Sequence, residues 1–131
     1  MTIETFSTLR KKIAALETRL EDLRNLVSAA TSALDGLPRA KNRTSPVERL
    51  VIRIDNTERE LDAARVDLAE ARPRLVDEII SRVEAPMATV LILHDVEGLS
   101  FRETARRMNY SLRNIFSLHK QGRRVYEGGT V

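Results

Sequence analysis

The 131-residue sequence predicts an all-α protein: a long antiparallel coiled-coil helical hairpin over residues 1–84, followed by a compact group of short helices over residues 85–131. Three observations carry this. An apolar seam recurs at helical heptad spacing near the N-terminus, and a second such seam follows a Gly/Pro break. The composition, 31% charged and 4% aromatic with no tryptophan, suits surface-rich helices better than a sheet built from aromatic and β-branched runs.

Leu9, Ile13, Leu16, Leu20, Leu23, Val27, Ala30 and Leu34 follow one another at alternating steps of four and three, the a/d pattern of a coiled coil. Leu26 widens the stripe, and charged residues such as Lys11, Lys12, Glu17 and Arg24 fill the outer face. A helix from about residue 3 to 34 follows, roughly 45 Å long at ~1.5 Å per residue. Asp35-Gly36-Leu37-Pro38 ends it, because Gly suits a C-cap and Pro cannot continue a helix. Residues 35–45, with Arg39, Lys41 and Arg43, read as a solvated loop.

Ser45-Pro46-Val47-Glu48 then opens a second helix: a serine cap, proline in the first turn, and a glutamate three residues after the cap. Val47, Ile54, Leu61, Leu68 and Leu75 recur every seven residues, with Leu50, Ala64 and Ala71 at companion positions. Pro73 lacks an N–H and collides with the preceding turn, so a kink or restart is expected there. The seam of Leu9, Ile13, Leu16, Leu20, Leu23, Val27, Leu34, Ile54, Leu61 and Leu68 is expected to drive formation of a homodimer or higher oligomer. Closure of the hairpin within one chain is the alternative.

The last third has different punctuation. Pro86 can start a short helix that Gly98 closes in the left-handed conformation. Ser100-Phe101-Arg102-Glu103 is a second capping box, and Phe101, Thr104, Ala105 and Met108 form the inward face of the next helix. Asn109-Tyr110 supplies a tight turn, and Ser111 caps a final helix to about residue 126, with Ile115, Leu118, Gly122 and Val125 inward. Support helix, short turn and second helix make a helix-turn-helix, whose second helix enters the major groove of DNA. On that helix Arg113, Asn114, Ser117 and Lys120 are the candidates for base edges, since Arg pairs with guanine and Asn with adenine. Arg102, Arg106, Arg123 and Arg124 are the candidates for phosphates, which fix position without reading sequence.

Charge distribution points the same way. Residues 100–131 carry seven basic and two acidic side chains, a net +5; residues 1–99 carry 15 basic and 17 acidic, a net −2. A positive end on a nearly neutral body is the footprint of a polyanion partner.

Leu91-Ile92-Leu93-His94-Asp95-Val96-Glu97-Gly98-Leu99-Ser100-Phe101-Arg102-Glu103-Thr104-Ala105, followed by Tyr110-Ser111 and Ile115, resembles region 4 of the sigma-70-family factors. The resemblance spans about residues 88–126 and implies a promoter-recognising module. Glu103-Thr104-Ala105 stands where that family usually has Glu-Ile-Ala, and Leu112 and Phe116 are more apolar than its usual second helix. The coiled N-terminus, Leu37-Pro38-Arg39 and Met108-Asn109-Tyr110-Ser111 together resemble small phage and prophage regulators of the RinA/ArpU type. This second resemblance implies a transcriptional regulator carried on a mobile element.

The expected function is therefore sequence-specific binding of double-stranded DNA for transcriptional control. The rival is a protein-interaction adaptor that grips RNA polymerase or a sigma factor, with Leu112 and Phe116 as contacts. Enzymatic chemistry is not expected: no cysteine is present, no glycine-rich phosphate loop occurs, and no serine sits in a nucleophile elbow. No cofactor is expected. The only histidines, His94 and His119, lack partners at helical metal-ligand spacing apart from adjacent Asp95, so no metal site is expected. No stretch reads as a signal peptide or membrane span, which gives a cytoplasmic expectation and no membrane partner.

Overall fold

The computed structural model describes residues 2–33 and 45–129. Five α-helices follow in order: α1 (Ile3–Ala33), α2 (Pro46–Arg82), α3 (Met87–Leu91), α4 (Phe101–Met108) and α5 (Leu112–Tyr126), with a π-helical turn (Ile92–Val96) continuing α3. There is no strand among the described residues, and the all-α expectation holds. The expected loop over residues 35–45, with Arg39, Lys41 and Arg43, lies outside the described residues except for Ser45, as does the seam residue Leu34.

Local chemistry starts the two long helices where the sequence placed them. Glu48 N–H donates to Ser45 Oγ at 3.0 Å while Ser45 N–H donates to Glu48 Oε2 at 3.3 Å, a complete capping box for α2. Thr2 Oγ1 accepts from Thr5 N–H at 3.1 Å and caps α1. The restart expected at Pro73 does not occur, for residues 46–82 form one helix. An interior proline costs about 3 kcal/mol. Ala71 and Leu75, on either side of it, are anchored in one apolar cluster that holds the helix through the lost hydrogen bond.

Contacts divide the chain into two compact units, Leu9–Asp67 and Met1–Thr8 with Leu68–Val131. In the first, α1 and α2 run antiparallel. Arg24 pairs with Glu58 at 2.9 Å and Arg65 with Glu17 at 3.3 Å, so seven residues forward on α1 are seven residues back on α2. Both pairs are solvated and mark register more than they add stability. Ile13, Leu16, Leu20 and Leu23 on α1 and Leu61 and Ala64 on α2 are buried within the chain; Leu9, Val27 and Ile54 are partly buried. Most of the seam expected to join chains is thus buried within one chain, against the antiparallel return of α2. Thr57 takes a seam position too, and turns its hydroxyl back onto Arg53 O at 2.7 Å, which satisfies it.

The second unit is organised by one cluster. Ile3 and Phe6 from the start of α1, Leu75, Ile79 and Val83 from the end of α2, Leu91 and Val96 around the π-turn, and Tyr126 at the end of α5 pack together, with Leu68 against them. Complete burial of side chains of this size contributes about 1.5–3 kcal/mol each. Where the sequence suggested a change of character at residue 84, packing runs across it. A smaller cluster, Val90, Ala105 and Ile115 with Phe101, Met108 and Leu118 around it, closes α3, α4 and α5 on one another. Gly122 lets α5 approach α3: a Cβ there would lie 3.3 Å from Leu91 Cγ and Met87 Cβ.

Asn109 ends α4 at φ 59°, with Tyr110 N–H donating to Ala105 O at 3.0 Å. A left-handed residue without Asn's local hydrogen bonds or Gly's freedom costs about 1–2 kcal/mol. Urea denaturation should therefore show Asn109→Ala destabilised by about 1 kcal/mol and Asn109→Gly near wild type. Burial, and then the nearby Glu78 carboxylate, raise the Tyr126 phenol above its ordinary value of 10.0. The neutral phenol favours the folded state fully below pH 10, and that contribution fades as pH rises through the raised folded value. Stability of the wild type should fall more steeply above pH 10 than that of Tyr126→Phe.

Candidate nucleic-acid interface

The turn between α4 and α5 decides what α5 presents. Ser100 Oγ accepts from Glu103 N–H at 3.1 Å and starts α4; Ser111 Oγ accepts from Asn114 N–H at 3.1 Å and starts α5. Between them Asn109 in the left-handed conformation reverses the chain in three residues. Thr104, fully buried, donates its hydroxyl to Ser100 O at 2.8 Å, so the inner face of α4 carries no unpaired polar group.

With Ile115, Gly122 and Tyr126 buried, the opposite side of α5 is turned outward. At 100° per residue Arg113, Ser117, Lys120 and Arg124 fall on one stripe, flanked by Asn114 and Gln121. All six are exposed. Ser117 Oγ accepts from Gln121 Nε2 at 3.5 Å one turn along. All four residues singled out from the sequence for base edges thus share one solvent-facing surface of α5. Arg102 and Arg106 are exposed on α4. Phe116 borders the stripe: 49% exposed, it meets Phe101 edge-on at 4.9 Å between ring centroids.

Arg123 stands apart from the other phosphate candidates. Its side chain is 24% exposed, and its guanidinium pairs with Glu4 at 3.3 Å, Glu127 at 3.2 Å and Asp95 at 3.8 Å. Surrounded by carboxylates, it ties α5 to the start of α1 and to the π-turn rather than offering a free cation. Arg124, the next residue, points 100° away and remains exposed.

The sequence reading missed what gathers around the π-turn. Glu97 N–H donates to Ile92 O at 2.8 Å, the five-residue spacing of a π-turn, and Gly98 follows at φ 78°. The widened turn buries Asp95. Asp95 Oδ2 accepts from His119 Nε2 at 3.0 Å. His94 stacks on Phe101 with centroids 3.8 Å apart, and its ring meets that of His119 edge-on at 5.1 Å. His94 Nδ1 donates to Leu99 O at 2.7 Å. The separation of 24 positions between Asp95 and His119 hid this convergence from any test of helical spacing.

α4 and α5, each started by a serine cap and joined by a three-residue turn, form a helix-turn-helix with one polar face of α5 exposed. Residues 74–124 match the family model for sigma-70, region 4. The chain thus carries a sigma-70 region-4-like helix-turn-helix, and the match reaches back into the last turns of α2. No curated protein and no solved structure matches the chain. No described helix is long and apolar enough to cross a membrane.

The two neighbouring arginines should separate in a stability test. Arg123→Ala leaves Asp95 short of a charged partner in a site largely removed from water, and should lower unfolding stability by about 1–3 kcal/mol. Arg124→Ala changes only an exposed side chain and should stay within about 0.5 kcal/mol of wild type by the same denaturation measurement.

Proposed function

We propose that this chain is a sequence-specific double-stranded DNA-binding transcriptional regulator of phage or prophage origin, acting without enzymatic chemistry and located in the cytoplasm. The observation that carries the reading is the shared outward stripe of Arg113, Ser117 and Lys120 with Asn114 at its flank, on a helix whose other side is buried. α5 lies in the major groove, its first two turns toward base edges. Arg113 takes a guanine edge and Asn114 an adenine edge, while Ser117 and Lys120 extend the contact. Arg102, Arg106 and Arg124 hold phosphates; Arg123 positions α5 through its carboxylate partners. The net +5 of residues 100–131 supplies the long-range attraction. The protein acts as a homodimer or higher oligomer. Leu26, Val51 and Ile52, each at least half exposed on α1 and α2, supply apolar area outside the filled seam.

A second reading has its own observation. Phe116 is half exposed on a helix otherwise polar on its outer side, and with the neighbouring Leu112 it offers an apolar foothold for RNA polymerase or a sigma factor.

Equilibrium binding to the intergenic DNA of the element that encodes the protein, titrated against salt, tests both readings. The wild type should prefer one site, with affinity falling steeply as salt rises. Arg113→Ala and Asn114→Ala should each lose about 1–3 kcal/mol on that site and little on random DNA. Arg124→Ala should weaken all sequences alike and flatten the salt dependence by about one ion. A wild type without site preference sinks the DNA-reading proposal. Polymerase capture abolished by Phe116→Ala and untouched by Arg113→Ala would establish the second reading.

A further inference from the structure

We propose that His94, Asp95 and His119 form a binding site for a divalent transition-metal ion of the zinc class, joining the π-turn after α3 to α5. One donor atom from each of the three side chains lies within 4.8 Å of the other two. Two imidazoles and one carboxylate are a donor set that suits zinc, with water completing the coordination.

The tautomers favour it. Leu99 O can only accept, so the His94 proton sits on Nδ1 at 2.7 Å from that carbonyl, and the Nε2 lone pair is left for a ligand. An imidazole N–H held by a backbone carbonyl is the usual outer support of a metal-bound histidine. Stacking against Phe101 fixes the ring plane. Asp95 is buried, and Oδ2 already faces His119 Nε2 at 3.0 Å. An ion binding there replaces the proton shared by this pair; the imidazole proton moves to Nδ1, and Nε2 and Oδ2 become ligands.

The remaining charges are arranged around the site without filling it. Arg123 Nη1 lies 3.8 Å from Asp95 Oδ1, the oxygen not bonded to His119, where it supports the carboxylate. Bonds of about 2.0–2.2 Å to zinc require donors about 3.4 Å apart, so closure needs side-chain movements on the order of 1 Å. An open groove lined by His119, Lys120, Arg123, Arg124, Glu127 and Gly129 brings solvent to the His119 side of the site. Lys120 and Arg124 on that groove oppose a positive ion, while Glu127, paired with Arg123 at 3.2 Å, offsets part of their charge.

The site binds α5 to the turn before α4, so occupancy rigidifies the helix-turn-helix from its inner side. Its test needs no DNA. Untagged full chain is titrated with Zn2+ in competition with a chromophoric chelator, and with Co2+ as a spectroscopic substitute. We expect one equivalent per chain, visible d–d bands with Co2+, and a melting temperature several degrees higher at 100-fold excess over Kd. Asp95→Asn and His119→Gln, each checked for helicity by circular dichroism, should weaken binding at least 10-fold. The chain has two histidines, so their ring nitrogens are readily assigned by NMR in the wild type. Both should shift with the first equivalent of Zn2+, a readout that stands even if a variant fails to fold. Absence of saturable binding, undiminished binding in either folded variant, or ring nitrogens unmoved by Zn2+ would overturn the proposal.

Discussion

The cluster of Ile3, Phe6, Leu75, Ile79, Leu91, Val96 and Tyr126 is the constraint on which the C-terminal module depends. It joins the start of the chain to residues more than sixty positions later. The short helices need such packing to stand. α3 has five residues and α4 eight, lengths at which an isolated helix in water does not persist. α3 buries one side against α5 and the end of α2, and α4 buries its own against α5 and the π-turn. That burial in turn leaves α5 only one side to show to solvent, and the sequence has placed Arg113, Asn114, Ser117, Lys120 and Arg124 there.

The same logic explains the division of labour between Arg123 and Arg124. One residue along a helix is a rotation of 100°. It carries Arg123 toward Glu4, Asp95 and Glu127, and leaves Arg124 in water. A guanidinium held by three carboxylates contributes to cohesion between segments, whereas an exposed one contributes to the field that a polyanion meets. Net charge counts the two alike; only placement separates them.

The π-turn has an analogous role. A regular α-helical end would place residues 94–97 differently by the width of one residue. The extra residue buries Asp95 and lets Gly98 take its left-handed turn into Ser100. Local irregularity of this kind recurs at functional positions because it aims a side chain that a regular helix would aim elsewhere. Here it directs a buried carboxylate at His119.

Much of the fold was legible in residue order because helix ends are local events. Ser45 with Glu48, Ser100, Ser111, Gly98 and Asn109 act on backbone groups within a few positions, and each is found in the role its chemistry suggests. The outward residues of α5 were legible for the same reason: a helical period and a few apolar anchors determine the face. Tertiary structure alone decided the rest. Whether the heptad seam met its own chain or another, whether Pro73 broke α2, which arginine stayed free, and whether His94, Asp95 and His119 converged all depend on which distant segments meet. Heptad spacing describes a sticky stripe without naming its partner, and helical spacing cannot see a contact 24 residues away. Those outcomes follow from packing the whole chain at once, where the burial of one segment fixes the surroundings of another.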